Sequence, residues 1–147
     1  MTTPRQMRNF TAAPGLAPRF TLETDAGSVH EIGRLATGGV RRQRLFTGGT
    51  FAGADVQGDL VGGSETLLDR QDGVTIVEAN YLVRLAGGDL IRLIGTGFAA
   101  ADETFRGVRM SIVFEAEEDG PNAWLATRAF IAERAEGDGR LTIVEIL

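Results

Sequence analysis

The sequence contains no cysteine and no lysine, and it has one histidine, one tyrosine and one tryptophan. Without cysteine it has no disulfide, no thiolate nucleophile and no cysteine-ligated metal. Without lysine it has no Schiff-base chemistry and no Walker-type lysine to hold a phosphate; all 15 basic side chains are arginine. A single histidine, His30, is too few for a His-rich zinc or iron site within one subunit, and the carboxylates show no EF-hand spacing. No run approaches the ~18 apolar residues of a membrane span. Residues 1–16 are polar, carry two prolines and lack the apolar core of a signal peptide. The reading is a flexible leader over residues 1–17, a single domain over 18–147, and a cytoplasmic location without membrane attachment. No metal and no cofactor are expected, since no cofactor motif is present.

What is there is ordinary for a globular chain of 147 residues: 43% hydrophobic, 24% charged, with a formal net charge of -5. An acidic balance argues against a nucleic-acid partner, which requires a basic face. The densest basic cluster, Arg41, Arg42 and Arg44, sits beside a Gly-Gly turn and reads as a solvated strand end.

Glycine and Asp-Gly pairs cut the chain into short runs. Residues 19–24 alternate around Phe20 and Leu22, and residues 28–32 follow after Asp25-Ala26-Gly27. Gln71-Asp72-Gly73 is a hairpin turn that opens the clearest pattern in the chain, residues 74–85, Ala86-Gly87-Gly88-Asp89, then residues 90–97: a long β-hairpin. Residues 108–116 alternate Met110, Ile112 and Phe114 against Arg109, Ser111 and Glu115. Residues 121–133 admit a helix capped by Asn122, but the Gly-rich turns on both sides and the surrounding strands favour a bulged strand. Glu136-Gly137-Asp138-Gly139 leads into a last strand, 140–146. The fold class is all-β: a single antiparallel β-barrel with little helix, closure being the way so many strands avoid exposed edges.

The stretch Leu45-Phe46-Thr47-Gly48-Gly49-Thr50-Phe51-Ala52-Gly53 resembles a bacterial family known as domain of unknown function 3237. The likeness continues through Gly58, Gly62-Gly63, Arg70-Gln71-Asp72-Gly73, Glu78-Ala79-Asn80-Tyr81, Gly97, Phe114-Glu115, Ala123-Trp124-Leu125 and Val144-Glu145-Ile146. It covers nearly the whole chain from Phe20 onward. The resemblance implies a small β-barrel similar to the allene oxide cyclase and dirigent group, in which a pocket for a small hydrophobic ligand is common. It implies no known activity. Departures from the family pattern bear on any pocket: Gly62-Gly63-Ser64-Glu65-Thr66 stands where the family carries Gly-Gly-Ala-Asp-Trp, Glu78 replaces a usual Asp, and Asn80 replaces a usual Arg. Gly95-Thr96-Gly97 also lacks the amide of an Asn-x-Gly.

Period-2 geometry puts Ile76, Glu78, Asn80, Leu82 and Arg84 on one strand face, and Thr75, Val77, Ala79, Tyr81, Val83 and Leu85 on the other. Taken alone, the hairpin packs its apolar face in the core and shows its mixed face to solvent. A functional reading reverses this: the mixed face lines the lumen, and the apolar Tyr81 face is covered by another layer or subunit; a homo-oligomer is expected under either reading. On that reading Glu78, Glu65 and Arg92 are the catalytic candidates. A carboxylate in a dry lumen is poised for general acid–base work, and an arginine beside it stabilises an enolate or a carboxylate. Asn80, Arg84, Tyr81, Trp124 and His30 are candidate substrate-binding residues, set against plainer roles as packing aromatics and a surface histidine. The expected function is a cofactor-independent isomerase, cyclase or lyase acting by proton transfer on a small, largely apolar carbonyl compound. The partner expected is a small hydrophobic or aromatic molecule. The alternatives are a non-catalytic carrier using the same lumen and a structural or assembly protein.

Overall fold

A computed structural model describes residues 13–101 and 105–147. Ten strands alternate with tight turns: β1 Leu16–Thr24, β2 Ser28–Arg34, β3 Val40–Phe46, β4 Gly49–Gly53, β5 Gln57–Asp69, β6 Thr75–Leu85, β7 Leu90–Ala101, β8 Arg106–Glu115, β9 Ala129–Ala135 and β10 Arg140–Ile146. All pairings are antiparallel, and the order β5-β4-β1-β10-β9-β8-β7-β6 closes on itself through β5–β6. The result is the expected closed barrel, of eight strands. β1 takes in Leu16 and Ala17, the end of the stretch read as a leader; residues 1–12 of that stretch lie outside the described residues.

The remaining strands, β2 and β3, continue β1 and β4 as one long bent ribbon. β1 pairs β4 up to Thr24↔Gly49, and β2 resumes against β3 at Ser28↔Leu45. The bend is pinned where Asp25 N donates to Gly48 O at 3.0 Å and the Thr47 hydroxyl donates to an Asp25 carboxylate oxygen at 2.8 Å. Beyond it β3 stays on β5, Val40↔Asp69 to Phe46↔Gly63, while β1 has finished its pairing with β10 at Glu23↔Arg140. The ribbon therefore leaves β10, and the barrel is open at this end.

Strand alternation decides which side chains fill the lumen. Val77, Ala79, Tyr81, Val83 and Leu85 of β6 are buried, as are Met110, Ile112 and Phe114 of β8 and Leu141 and Ile143 of β10. The midsection is packed by aromatic rings: Phe20 stacks on Phe51 at 4.9 Å between centroids, and Phe114 meets Phe130 edge-on at 4.8 Å. The stretch 121–133 divides between both readings. Ala123–Thr127 is a single 3₁₀ turn that buries Leu125, and β9 follows. Among the described residues no helix is long and apolar enough to cross a membrane.

Candidate functional site

The apolar face of β6 is the lumen face, so the functional reading of that hairpin is corrected. Glu78 and Arg84 are exposed on the outer wall, and Asn80 and Arg92 are half-buried there. Arg92 Nε donates to Asn80 Oδ1 and its Nη1 to Glu115 Oε1, both at 2.9 Å, a surface network on β6, β7 and β8. Burying five apolar side chains of β6 outweighs enclosing three polar ones, which explains the choice of face. His30 is exposed on β2, its ring 3.2 Å from the Ser28 hydroxyl. Tyr81 faces inward, so its face is core and bears in neither direction on association. The large apolar side chains exposed on the barrel wall are others, among them Leu16, Phe98, Val113 and Ile131.

The structure brings together two of the expected residues, Glu65 and Tyr81, and adds two arginines. Glu65 lies on β5 opposite Arg44 of β3 and one diagonal step from Tyr81 of β6. Arg134, from β9, reaches across the lumen. It donates from Nη1 to Glu65 Oε2 at 2.8 Å and from Nη2 to Oε1 at 3.0 Å, a bidentate clamp, and the Tyr81 hydroxyl donates to Oε2 at 2.6 Å. Arg44 Nη1 stands 3.6 Å from Oε1, outside hydrogen-bond distance. Glu65 is 0% exposed and Arg134 9%. Arg44 Nε is buried with no hydrogen-bond partner among the described residues.

Burial alone raises the Glu65 carboxyl, but the hydrogen bonds and charge of Arg134, with Tyr81 and Arg44, outweigh it and hold the group below the usual carboxylate range. Burial and the adjacent Glu65 charge push the Tyr81 phenol well above its ordinary value. Burial lowers Arg134, but Glu65 more than compensates, and the guanidinium is held above its usual value. The cluster is thus an ionised carboxylate, a neutral phenol and two cations.

Above it, where the ribbon leaves β10, opens a cavity of about 470 Å³. Arg44 and Arg134 are on its wall together with Val108 and the small Ala99, Ala100 and Gly107, and Glu136 and Asp138 stand at the β9–β10 turn. The arginines present themselves to a ligand, and Glu65 lies directly behind them. An open surface of this kind accepts a carbonyl or carboxylate oxygen through guanidinium N–H groups. No group of three or more metal-ligating side chains occurs among the described residues.

Sequence reasoning missed Arg134 and a second inward carboxylate, Glu145. Both positions follow from alternation once Phe130 and Ile143 are known to face inward, because Arg134 and Glu145 share their faces. Glu145, 2% exposed, lies at the other end of the barrel with Arg19 and Arg128. Trp124 is 39% exposed beside it, at the edge of the Phe20 ring cluster rather than in the core.

Residues 14–146 match a family described as a protein of unknown function, DUF3237. No curated protein matches the sequence. Solved structures share the fold, among them three from different organisms. A protein of unknown function from Clostridium acetobutylicum superposes with a TM-score of 0.81 at 20% identity, covering 91% of this chain and 99% of that one. A conserved protein of unknown function from Rhodopseudomonas palustris gives 0.79 at 21%, covering 93% and 100%. A protein described as an enzyme, from Penicillium herquei, gives 0.76 at 19%, covering 94% and 98%.

Proposed function

The chain belongs to the DUF3237 family, and on that footing we propose that it is a cofactor-independent enzyme acting by proton transfer on a small carbonyl compound held in the Arg44–Arg134 cavity. The observation that carries this reading is the convergence of two guanidinium groups of the cavity wall on one buried carboxylate, with the Arg44 Nε–H left unmatched. The description of a structural neighbour as an enzyme supports a catalytic use of the fold.

The substrate carbonyl oxygen accepts from Arg44 and Arg134. Glu65 does not itself line the cavity, so the step requires the covering Arg44 side chain to swing aside; Glu65 Oε1, which has one hydrogen-bond donor at 3.0 Å, then takes the proton from the carbon next to the carbonyl. The C–H electron pair becomes a carbon–carbon double bond, and the carbonyl π pair moves to oxygen as an enolate held by the arginines. Returning the proton at another carbon isomerises the compound; expelling a group from the neighbouring carbon eliminates it. The donors that keep Glu65 ionised also make it a weak base. The reaction therefore suits an acidic C–H, such as one flanked by two carbonyl groups.

A carrier of the same ligand is the second reading, favoured by the complete burial of Glu65 behind the arginines. Deuterium uptake at the activated carbon of acetylacetone and related 1,3-dicarbonyl compounds, followed by NMR in D₂O, separates the two. Uptake above the buffer rate that disappears in Glu65→Gln and falls in Arg44→Gln supports the enzyme. Saturable binding with no enhanced uptake in the native protein rejects it in favour of the carrier.

A further inference from the structure

We propose that the opposite end of the barrel holds a second ligand site, built on Trp124, Arg19 and Arg128, that takes a planar aromatic monocarboxylate. A cavity of about 550 Å³ opens there between the β4–β5 loop, with Asp55 and Val56, and the 3₁₀ turn carrying Trp124. Its size is that of a small-molecule site. Three features define what it accepts.

The first is the pair of cations. β1 carries a register shift between Pro18 and Phe20 that leaves Arg19 without a partner residue on β10. A bulge of this kind re-aims a side chain, and here Arg19 reaches the inward-facing Glu145: Nε donates to Oε1 at 2.9 Å. Arg128, the residue between the 3₁₀ turn and β9, donates from Nη1 to Oε2 at 2.8 Å. Each oxygen of Glu145 thereby accepts one bond, its side chain is 3% exposed, and its carboxyl is held below the ordinary range by Arg128 and Arg19. Each guanidinium has five N–H donors and spends one on Glu145. Neither the terminal amino groups of Arg19 nor Nε and Nη2 of Arg128 has an acceptor among the described residues, and both side chains are about half exposed to the cavity side. Planar donors of this kind match a carboxylate two bonds at a time.

The second feature is the ring. Trp124 is backed by Phe20 at 6.4 Å between centroids, and Arg128 lies 5.7 Å from the indole centroid. A flat ring laid on the exposed indole brings a carboxylate on its edge toward the guanidinium groups. The third is the limit on charge. Asp55 lines the same cavity, so the four charged groups sum to zero, and a second negative charge on the ligand meets repulsion.

This site is separate from the Glu65 cluster. The packed midsection, Phe20, Phe51, Phe114 and Phe130, stands between the two ends. The barrel thus carries an inward carboxylate with two arginines at each mouth.

Trp124 is the sole tryptophan, so its emission, excited at 295 nm, reports this site alone. Titration with benzoate is expected to give a saturable change, with benzamide at least tenfold weaker. Arg19→Gln and Arg128→Gln are each expected to weaken benzoate about tenfold, the equivalent of one charge-assisted hydrogen bond. Arg44→Gln, at the other mouth, is expected to leave the titration unchanged. Quenching by benzoate that stays linear without saturating, equal affinity for benzamide, or saturable binding that survives both arginine substitutions would overturn the proposal.

Discussion

The hydroxyl of Tyr81 donates a 2.6 Å hydrogen bond to Oε2 of Glu65, and neither side chain is exposed at all. The phenol keeps its proton because ionisation would place a second negative charge against the carboxylate in a dry site. Its folded value is raised above its unfolded one, so the stability it contributes is complete below the unfolded value, about pH 10, and is lost as pH rises toward the folded value. As Tyr81 is the only tyrosine, phenolate absorbance at 295 nm is expected to appear together with loss of the β circular-dichroism signal. Ionisation well before unfolding would contradict the burial of this bond.

Removing one member of the cluster strands the others. Glu65→Leu leaves Arg134 charged and the Tyr81 hydroxyl unpartnered, which is expected to cost about 3–5 kcal/mol in urea unfolding. Replacing the group together, Glu65→Leu with Tyr81→Phe and Arg134→Met, removes the unmet polar atoms as well as the bonds. The triple variant is expected to be more stable than the single one. A triple variant as unstable as Glu65→Leu would mean that the site is held by shape rather than by charge.

The strands and turns were legible because Asp-Gly and Gly-Gly pairs punctuate them and apolar residues alternate between them. The lumen face of β6 was equally legible, since Val77, Val83 and Leu85 flank Tyr81 on it. What misled was treating polarity as the mark of a pocket: Glu78, Asn80 and Arg92 are polar because they meet water. Arg134 and Glu145 were hidden for the opposite reason. Each is a charged residue at the end of an otherwise apolar face, and single-strand alternation leaves open whether such a residue emerges at the rim or turns inward to a partner. The partners, Glu65 for Arg134 and Arg19 for Glu145, lie 69 and 126 positions away, beyond any local pattern. Glu65 was found through its motif alone.

The acid limb of stability has a defined direction. Glu65, Asp69 and Glu145 are all held below the ordinary carboxylate range, by Arg134 (against burial), by Arg42 and by Arg128 respectively. Their contribution is present above the unfolded value of about pH 4 and is lost as pH falls through the lower folded values. Urea midpoints are expected to be level from pH 7 to 5 and to drop between 4 and 3. The drop is expected to be shallower in Glu65→Gln, which has one carboxylate fewer to protonate. A midpoint that rises on acidification would contradict these ion pairs.

Gly62 and Gly63 are adjacent and unalike, which gives a test with its own control. Gly62 follows a bulge that leaves Val61 unpaired between Leu60↔Val83 and Gly62↔Leu82, and an added Cβ there meets nothing within 4 Å. At Gly63 the same Cβ falls 2.9 Å from Cδ1 of Tyr81 and 3.1 Å from the Asn80 carbonyl oxygen. The Tyr81 ring has little room to retreat, because Phe46 packs against it at 6.2 Å between centroids and its hydroxyl is committed to Glu65. Gly63→Ala is therefore expected to destabilise by about 1–3 kcal/mol, as over-packing does, whereas Gly62→Ala stays within about 0.5 kcal/mol of the native chain. The displaced phenol is also expected to ionise at lower pH in Gly63→Ala, since a longer bond to Glu65 goes with a less tightly closed site. Equal stability of the two variants would show that the ring moves freely, and that the Tyr81–Glu65 bond does not depend on the missing side chain at position 63.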